Sequence, residues 1–123
     1  MATILVVDDN LDACQPLAKL LSYMGYHGVC VTSGEAALDY VRNNPVQLML
    51  LDVMMPGMDG LEVLRILRSQ EQSRSLPVVM FSAVADPQFR DHAMSKGADD
   101  YWVKASFDFG KLKQHIERYV RAA

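Results

Sequence analysis

The residues best suited to chemistry stand at the ends of short apolar runs. Asp8 and Asp9 follow Ile4-Leu5-Val6-Val7, and Asp52 follows Leu48-Met49-Leu50-Leu51. Ser82 and Ala83 follow a run ending at Phe81, and Lys104 follows Tyr101-Trp102-Val103. Three carboxylates, a hydroxyl and an ammonium brought together would hold a divalent cation and a phosphoryl group. An all-oxygen donor set suits Mg²⁺, which keeps several waters and accepts phosphate as a further ligand. Taken singly, each residue has a plainer explanation. An aspartate after a strand caps the next helix or makes an Asx-turn. A lone serine serves as a turn hydroxyl, and a lone lysine is solvated. Asp52 fits the plain explanation least, because Met54, Met55 and Pro56 follow it rather than a helix.

Whether these groups meet depends on the elements that carry them. Thr3–Val7, His27–Val31, Leu48–Leu51, Pro77–Phe81 and Tyr101–Val103 are continuous apolar or β-branched runs, the pattern of strands buried on both faces. Helical spacing fills the intervals. Asp12–Met24 places Cys14, Leu17, Ala18, Leu21 and Met24 on one face, with Pro16 tolerable only near the first turn and Gly25 ending the helix. Thr32-Ser33-Gly34-Glu35 reads as a capping box with Thr32 as N-cap, opening a helix to about Asn43. Asp59 or Gly60 opens the third helix, and Asp86-Pro87 opens the fourth, which stops at Lys96-Gly97. A last helix from Ser106 or Asp108 buries Phe109, Leu112, Ile116 and Tyr119 or Val120 and closes the chain.

Strands separated by helices run parallel, because each helix carries the chain back. The expected architecture is α/β, a doubly wound five-stranded parallel sheet in the order 2-1-3-4-5. In that order strands one, three, four and five are neighbours. Their C-terminal ends lie on one edge, where such sheets bind ligands. Asp8, Asp9, Asp52, Ser82 and Lys104 then converge. Two carboxylates 4 Å apart repel by about 4 kcal/mol at an effective dielectric near 20. One lysine does not balance three such charges; a divalent cation does.

Composition narrows the function classes. The 123 residues make one domain, half of them apolar and 22% charged, which excludes a disordered chain. Twelve basic and fifteen acidic residues leave a net charge of −3, which argues against direct nucleic-acid binding. No apolar run is long enough for a membrane span, and no basic region precedes the first apolar run as a signal peptide would require. Cys14 and Cys30 match no disulfide framework and no CxxC site, so the expected compartment is the reducing cytoplasm. His27, His92 and His115 lack metal-ligand spacing, and the eight methionines read as core and loop residues. No glycine-rich phosphate loop is present.

At Ile4–Asn10, Leu50–Gly60, Phe81–Ala83 and Lys96–Lys104 the chain resembles the receiver domain of bacterial two-component response regulators. The resemblance spans essentially residues 1–123 and implies a flavodoxin-like receiver fold. It implies that Asp52 is the phosphoacceptor, attacking a phosphohistidine of a histidine kinase or a histidine phosphotransfer protein. It implies Mg²⁺ held by Asp9, by Asp8 largely through water, by Asp52 and by the Met54 carbonyl. Lys104 would pair with the phosphoryl oxygens, and Ser82 would donate to them after transfer. Tyr101 would be the aromatic switch that turns inward when the Ser82 hydroxyl moves. An output protein would dock on the face of helix four, strand five and helix five, and the module is expected to turn over no substrate. The sequence ends after its last helix, so the expectation is a receiver without an output domain: a stand-alone regulator, a receiver excised from a larger protein, or one attached to a kinase.

Three positions depart from the family pattern. Ala105 stands where proline usually follows the lysine. A cis non-proline bond costs about 3 kcal/mol, so the expectation is a trans bond with a changed loop, or strain held by the fold. Ser82 replaces the commoner threonine. Met54 brings no polar side chain to orient water, which implies slow self-dephosphorylation. Two other functions compete: a phosphorylation-independent interaction module on the same fold, and an aspartate-nucleophile phosphohydrolase. The second usually has an acid two residues after the nucleophile, where this chain has Met54.

Overall fold

A computed structural model describes residues 1–120, in which the apolar runs become strands and the amphipathic intervals become helices. The strands are β1 (Thr3–Val7), β2 (His27–Val31), β3 (Leu48–Leu51), β4 (Val78–Ser82) and β5 (Asp100–Val103). The helices are α1 (Leu11–Tyr23), α2 (Gly34–Asn43), α3 (Gly60–Ser69), α4 (Pro87–Ser95) and α5 (Leu112–Glu117). All pairings are parallel and the order is β2-β1-β3-β4-β5, as the alternation predicts.

Side chains alternate across each strand, and the two faces fill two cores. Leu5, Val7, Met49, Leu51 and Met80 pack under α2, α3 and α4 with Val63, Leu64 and Leu67. Ile4, Val6, Leu48, Leu50 and Val79 pack against α1 and α5 with Leu17, Leu21, Leu112 and Ile116. Tyr101 and Trp102 fall on opposite faces, as strand alternation requires. β1, β3 and β4 are buried along their whole length, whereas the edge strand β2 is half-buried.

Several local expectations are corrected. α1 starts one residue earlier, at Leu11, because the Asn10 side chain caps it by accepting from the Asp12 N–H. Pro16 is therefore the sixth helical residue rather than a first-turn residue. Both Pro16 and Asp12, whose carbonyl loses a partner, are exposed, so water can satisfy it. The N-cap of α2 is Ser33, not Thr32; its hydroxyl accepts from the Ala36 N–H, and Glu35 lends its charge to the first turn. β4 begins at Val78 and includes Ser82, and β5 begins at Asp100, each one residue off the expected bounds.

The segment after β5 differs most. Lys104–Ser106 and Phe109–Lys111 form two 3₁₀ turns, and only Leu112–Glu117 is α-helical. No peptide bond among the described residues is cis, so Lys104–Ala105 takes the trans alternative with a rebuilt loop. Phe107 anchors that loop, stacked on Trp102 at 4.8 Å and edge-on to Phe81 at 5.5 Å. Phe109, expected in the core, is 47% exposed because the 3₁₀ geometry turns it outward. The expected helical end of the chain, residues 121–123, lies outside the described residues.

The cysteines overturn a further expectation. Cys14 on α1 and Cys30 on β2 are joined as a disulfide, with Cα atoms 5.7 Å apart. Sequence spacing could not show this, because the pairing arises from α1 folding back over the β1–β2 edge.

Candidate functional site

Asp8 ends the ladder of β1, its N–H donating to the Val31 carbonyl. Its Oδ1 accepts from the Asn10 N–H at 3.0 Å, so the plain Asx-turn reading is correct as far as it goes. Its Oδ2 lies 2.6 Å from Lys104 Nζ, a contact no local turn explains. Asp52 continues β3 by donating its N–H to the Val7 carbonyl. Its Oδ1 accepts from the Met54 N–H at 3.3 Å, and its Oδ2 is 3.5 Å from Lys104 Nζ. Lys104 thus bridges two buried carboxylates that are 44 residues apart in sequence.

Asp9 is exposed, yet one oxygen from each of Asp8, Asp9 and Asp52 falls within 4.8 Å of the others. That donor set, hard and all-carboxylate, suits a divalent cation such as Mg²⁺ or Ca²⁺. Met54 is 63% exposed at the rim. Beside the cluster lies a groove of about 360 Å³, lined by Leu17, Leu20, Phe81 and Phe109 together with Asp8 and Lys104.

Ser82 is fully buried at the end of β4, its Oγ accepting from the Val84 N–H at 3.1 Å. The Tyr101 hydroxyl donates to the Val84 carbonyl at 2.7 Å. Val84 is therefore held through both its backbone groups, one by each residue expected to form the switch. The family resemblance implies that Tyr101 turns inward once the Ser82 hydroxyl moves. Here the ring is already inward, 6% exposed and against Phe89 of α4, while that hydroxyl faces the Val84 N–H.

The electrostatics follow from burial. Burial pushes the Asp52 carboxyl above its usual range; Lys104 pulls it down, Asp8 pushes it up, and the Met54 N–H lowers it, leaving a net rise. Burial alone would lower the Lys104 ammonium, but its hydrogen bond to Asp8 and the charges of Asp52 and Asp8 outweigh that, and its pKa rises. An acid whose pKa is raised by folding favours the folded state most below the unfolded value, near 3.9, and that contribution is lost as pH rises through the folded value. Asp52→Asn is therefore expected to stabilise the metal-free protein at pH 7 by about 1 kcal/mol. Melts in chelator at pH 7 and at pH 4 check this: the advantage should be present at the first and absent at the second.

The structure brings together every residue the sequence analysis assigned to the pocket's carboxylates and ammonium. It also adds three that were missed. Asn10 both caps α1 and fixes Asp8, and an Asp-x-Asn before a helix was the available signal. Val84 acts through its backbone and leaves no sequence signal. Gly60 lets α3 start against the Asp52 carbonyl, which only tertiary contact reveals. His27, His92 and His115 join no metal-ligating cluster among the described residues.

Comparison with known proteins agrees with this geometry. Residues 4–117 match the family model of the response regulator receiver domain. The chain is 42% identical over 101 residues to the response regulator MprA of Mycobacterium sp. (strain KMS), covering 82% of this chain and 43% of that protein. It is 40% identical over 118 residues to the probable transcriptional regulator ycf27 of Cyanophora paradoxa, covering 96% of this chain and 48% of that protein. The chain thus spans about half the length of these curated relatives. Among solved structures, the chemotaxis protein CheY4 of Vibrio cholerae superposes with a TM-score of 0.89 at 28% identity, covering 98% of this chain and 99% of that one. The response regulator TrrA of Thermotoga maritima, solved in complex with Mg²⁺-BeF, gives a TM-score of 0.85 at 32% identity, covering 98% and 100%. With its sheet order, its acidic edge and this match along nearly its whole length, the chain belongs to the response regulator receiver domain family of two-component signalling.

Proposed function

We propose that Asp52 accepts a phosphoryl group from a phosphohistidine on a histidine kinase or histidine phosphotransfer protein. The observation that carries this is Lys104 set between Asp8 and Asp52, with Asp9 completing the carboxylate cluster. A carboxylate oxygen of Asp52 forms the new bond to phosphorus as the histidine N–P bond breaks, and the imidazole leaves. Mg²⁺, held by Asp8, Asp9, Asp52 and the Met54 carbonyl, would neutralise charge on the phosphoryl oxygens. Lys104 would supply a fixed positive charge from its place between Asp8 and Asp52, and Ser82 the hydroxyl at the end of β4. The apolar groove beside Lys104 offers the donor protein a surface next to the acceptor.

The acyl phosphate adds charge and acceptor oxygens at the sheet edge. Lys104 and Ser82 then gain contacts, and Val84, held by Ser82 and Tyr101, transmits the change to α4. The output partner docks on the face of α4, β5 and α5. The module acts in the cytoplasm as one receiver domain, without substrate turnover, and binds neither nucleic acid nor membrane directly. Among the described residues no helix is long and apolar enough to cross a membrane.

Intact mass after incubation with Mg²⁺ and a small acyl-phosphate donor tests the proposal. One labile phosphoryl adduct is expected, absent in chelator and absent in Asp52→Ala. A second reading, a docking module that works without phosphorylation, is favoured by the inward Tyr101. No adduct, together with no thermal stabilisation by Mg²⁺, would establish that reading instead. Because Met54 cannot orient water, Met54→Asn should lose the phosphoryl group at least about tenfold faster than wild type, measured as decay of the adduct.

A further inference from the structure

We propose that Cys14 and Cys30 form a reversible dithiol–disulfide couple, oxidised by peroxide, that sets how firmly the Asp8–Asn10 loop presents its carboxylates to a divalent cation. The cation part rests on the reading of the acidic cluster given above; the couple itself does not.

The placement of the two sulfurs carries the inference. Their Cα atoms are 5.7 Å apart, inside the range of roughly 4.4–6.8 Å that a disulfide spans without moving the backbone. The site also suits the dithiol form. Cys14 is fully buried, its Sγ 3.4 Å from the Val6 carbonyl oxygen and 3.7 Å from that of Val31. A thiol there donates its proton, so neither redox state leaves the interior unsatisfied. Cys30 is half-buried on the edge strand β2, where a small oxidant can reach it.

Those accessibilities divide the roles. The Cys30 thiolate attacks hydrogen peroxide, breaking the O–O bond and becoming a sulfenic acid as hydroxide leaves. Cys14 then attacks the sulfenic sulfur; the S–S bond forms and the oxygen leaves as water. Two thiols and one peroxide give one disulfide and two waters. A dithiol reductant reverses the change by exchange, becoming a disulfide itself.

The crosslink closes a circuit through the pocket. Cys14 N–H donates to the Asn10 carbonyl, Asn10 N–H donates to Asp8 Oδ1, and Asp8 N–H donates to the carbonyl of Val31, the neighbour of Cys30. The disulfide is the covalent member of that ring. With it in place, Asp8 is held from both sides, and less ordering remains to be done when a cation binds.

The test compares the wild-type protein reduced with a dithiol, reoxidised with peroxide, and reduced again. Reoxidation should yield a Cys14–Cys30-linked peptide and a mass lower by two hydrogens, reversed by the second reduction. The two cysteines are 16 positions apart in sequence, so reduction should lower Tm by roughly 10 °C. Mg²⁺ affinity, measured by calorimetry, should fall about fivefold in the dithiol form. Cys14→Ser should leave Cys30 open to a sulfenic-acid probe, whereas Cys30→Ser should leave Cys14 unreactive. Failure of peroxide to form the crosslink overturns the couple. Equal Mg²⁺ affinity in both forms overturns its link to the pocket. If Mg²⁺ binds neither form, the reading of the acidic cluster fails and that link falls with it, while crosslinking and the Tm difference still decide the couple.

Discussion

Gly60→Ala should remove about 3 kcal/mol of stability or more, although it adds only a single methyl group, at the buried start of α3. A Cβ at Gly60 lands on the Asp52 carbonyl oxygen and lies 2.9 Å from the Asp52 carbonyl carbon and from Val53 Cα. All three are backbone atoms, so no side chain can swing aside. Relief would require α3 to lift from the sheet. That helix is fixed at its start by Asp59, whose side chain accepts from the Glu62 N–H, and along its length by buried Val63, Leu64 and Leu67. The Gly60 N–H also donates to the Val53 carbonyl, tying the helix start to the segment that follows Asp52. The measurement is the urea midpoint of Gly60→Ala against that of Gly110→Ala, whose added Cβ meets only the Asp108 side chain at 3.1 Å. A large shift for the first and little for the second is expected. Because the displaced backbone carries Asp52, phosphoryl transfer should also slow in whatever fraction remains folded.

Lys104→Met should have the second largest effect, and it should show in stability as well as in chemistry. The ammonium is the only cation bridging Asp8 and Asp52 among the described residues, at 2.6 and 3.5 Å. Removing it leaves two buried carboxylates facing each other. With the lysine side chain 28% exposed, solvent softens the loss, and about 2 kcal/mol at pH 7 is the expected cost in metal-free buffer. The pH dependence has a definite sign. Folding raises the Lys104 pKa, so its contribution is complete below the unfolded value, near 10.4, and is lost as pH rises through the folded value above that. Wild type and variant should therefore differ at pH 7 and converge in strongly alkaline solution. Divalent cation should restore part of the lost stability, because it supplies the missing positive charge to the same carboxylates. On the proposed function, phosphoryl transfer to Asp52 should still fall by about a hundredfold, since the cation proposed to meet the phosphoryl oxygens is gone. Melts with and without Mg²⁺, and the rate of adduct formation, check both parts.

The two variants probe different kinds of information in this chain. Lys104 can be singled out from the amino-acid pattern, because its role depends on strand order, and strand order follows from alternating elements and their usual crossovers. The five apolar runs, the helical spacing between them and the polar residue ending each run were sufficient to bring Asp8, Asp9, Asp52 and Lys104 to one edge. Gly60 cannot be singled out in that way. Its requirement arises where a helix start meets a strand end, and nothing in the local sequence distinguishes it from an ordinary helix-opening glycine.

The same division runs through the smaller corrections. Thr32 has the capping-box spacing to Glu35, yet α2 starts one residue later and Ser33, whose hydroxyl accepts from the Ala36 N–H, is the N-cap. Phe109 has core spacing if the last helix begins near Ser106, but Phe107 stacking on Trp102 draws the chain into 3₁₀ turns and leaves Phe109 outside. The trans bond at Ala105 belongs to that same rebuilt loop.

Hydrophobic periodicity acts over a few residues, and so the sequence by itself determined the elements, their parallel order and which side chains end each strand. Contacts between residues distant in the chain have no such period. The tertiary structure alone decided that Cys14 reaches Cys30, that Lys104 spans Asp8 and Asp52 at bonding distance, and that Ser82 and Tyr101 grip one residue, Val84. Those pairings depend on how far each helix sits along the sheet, a quantity set by packing volume rather than by the pattern of apolar residues.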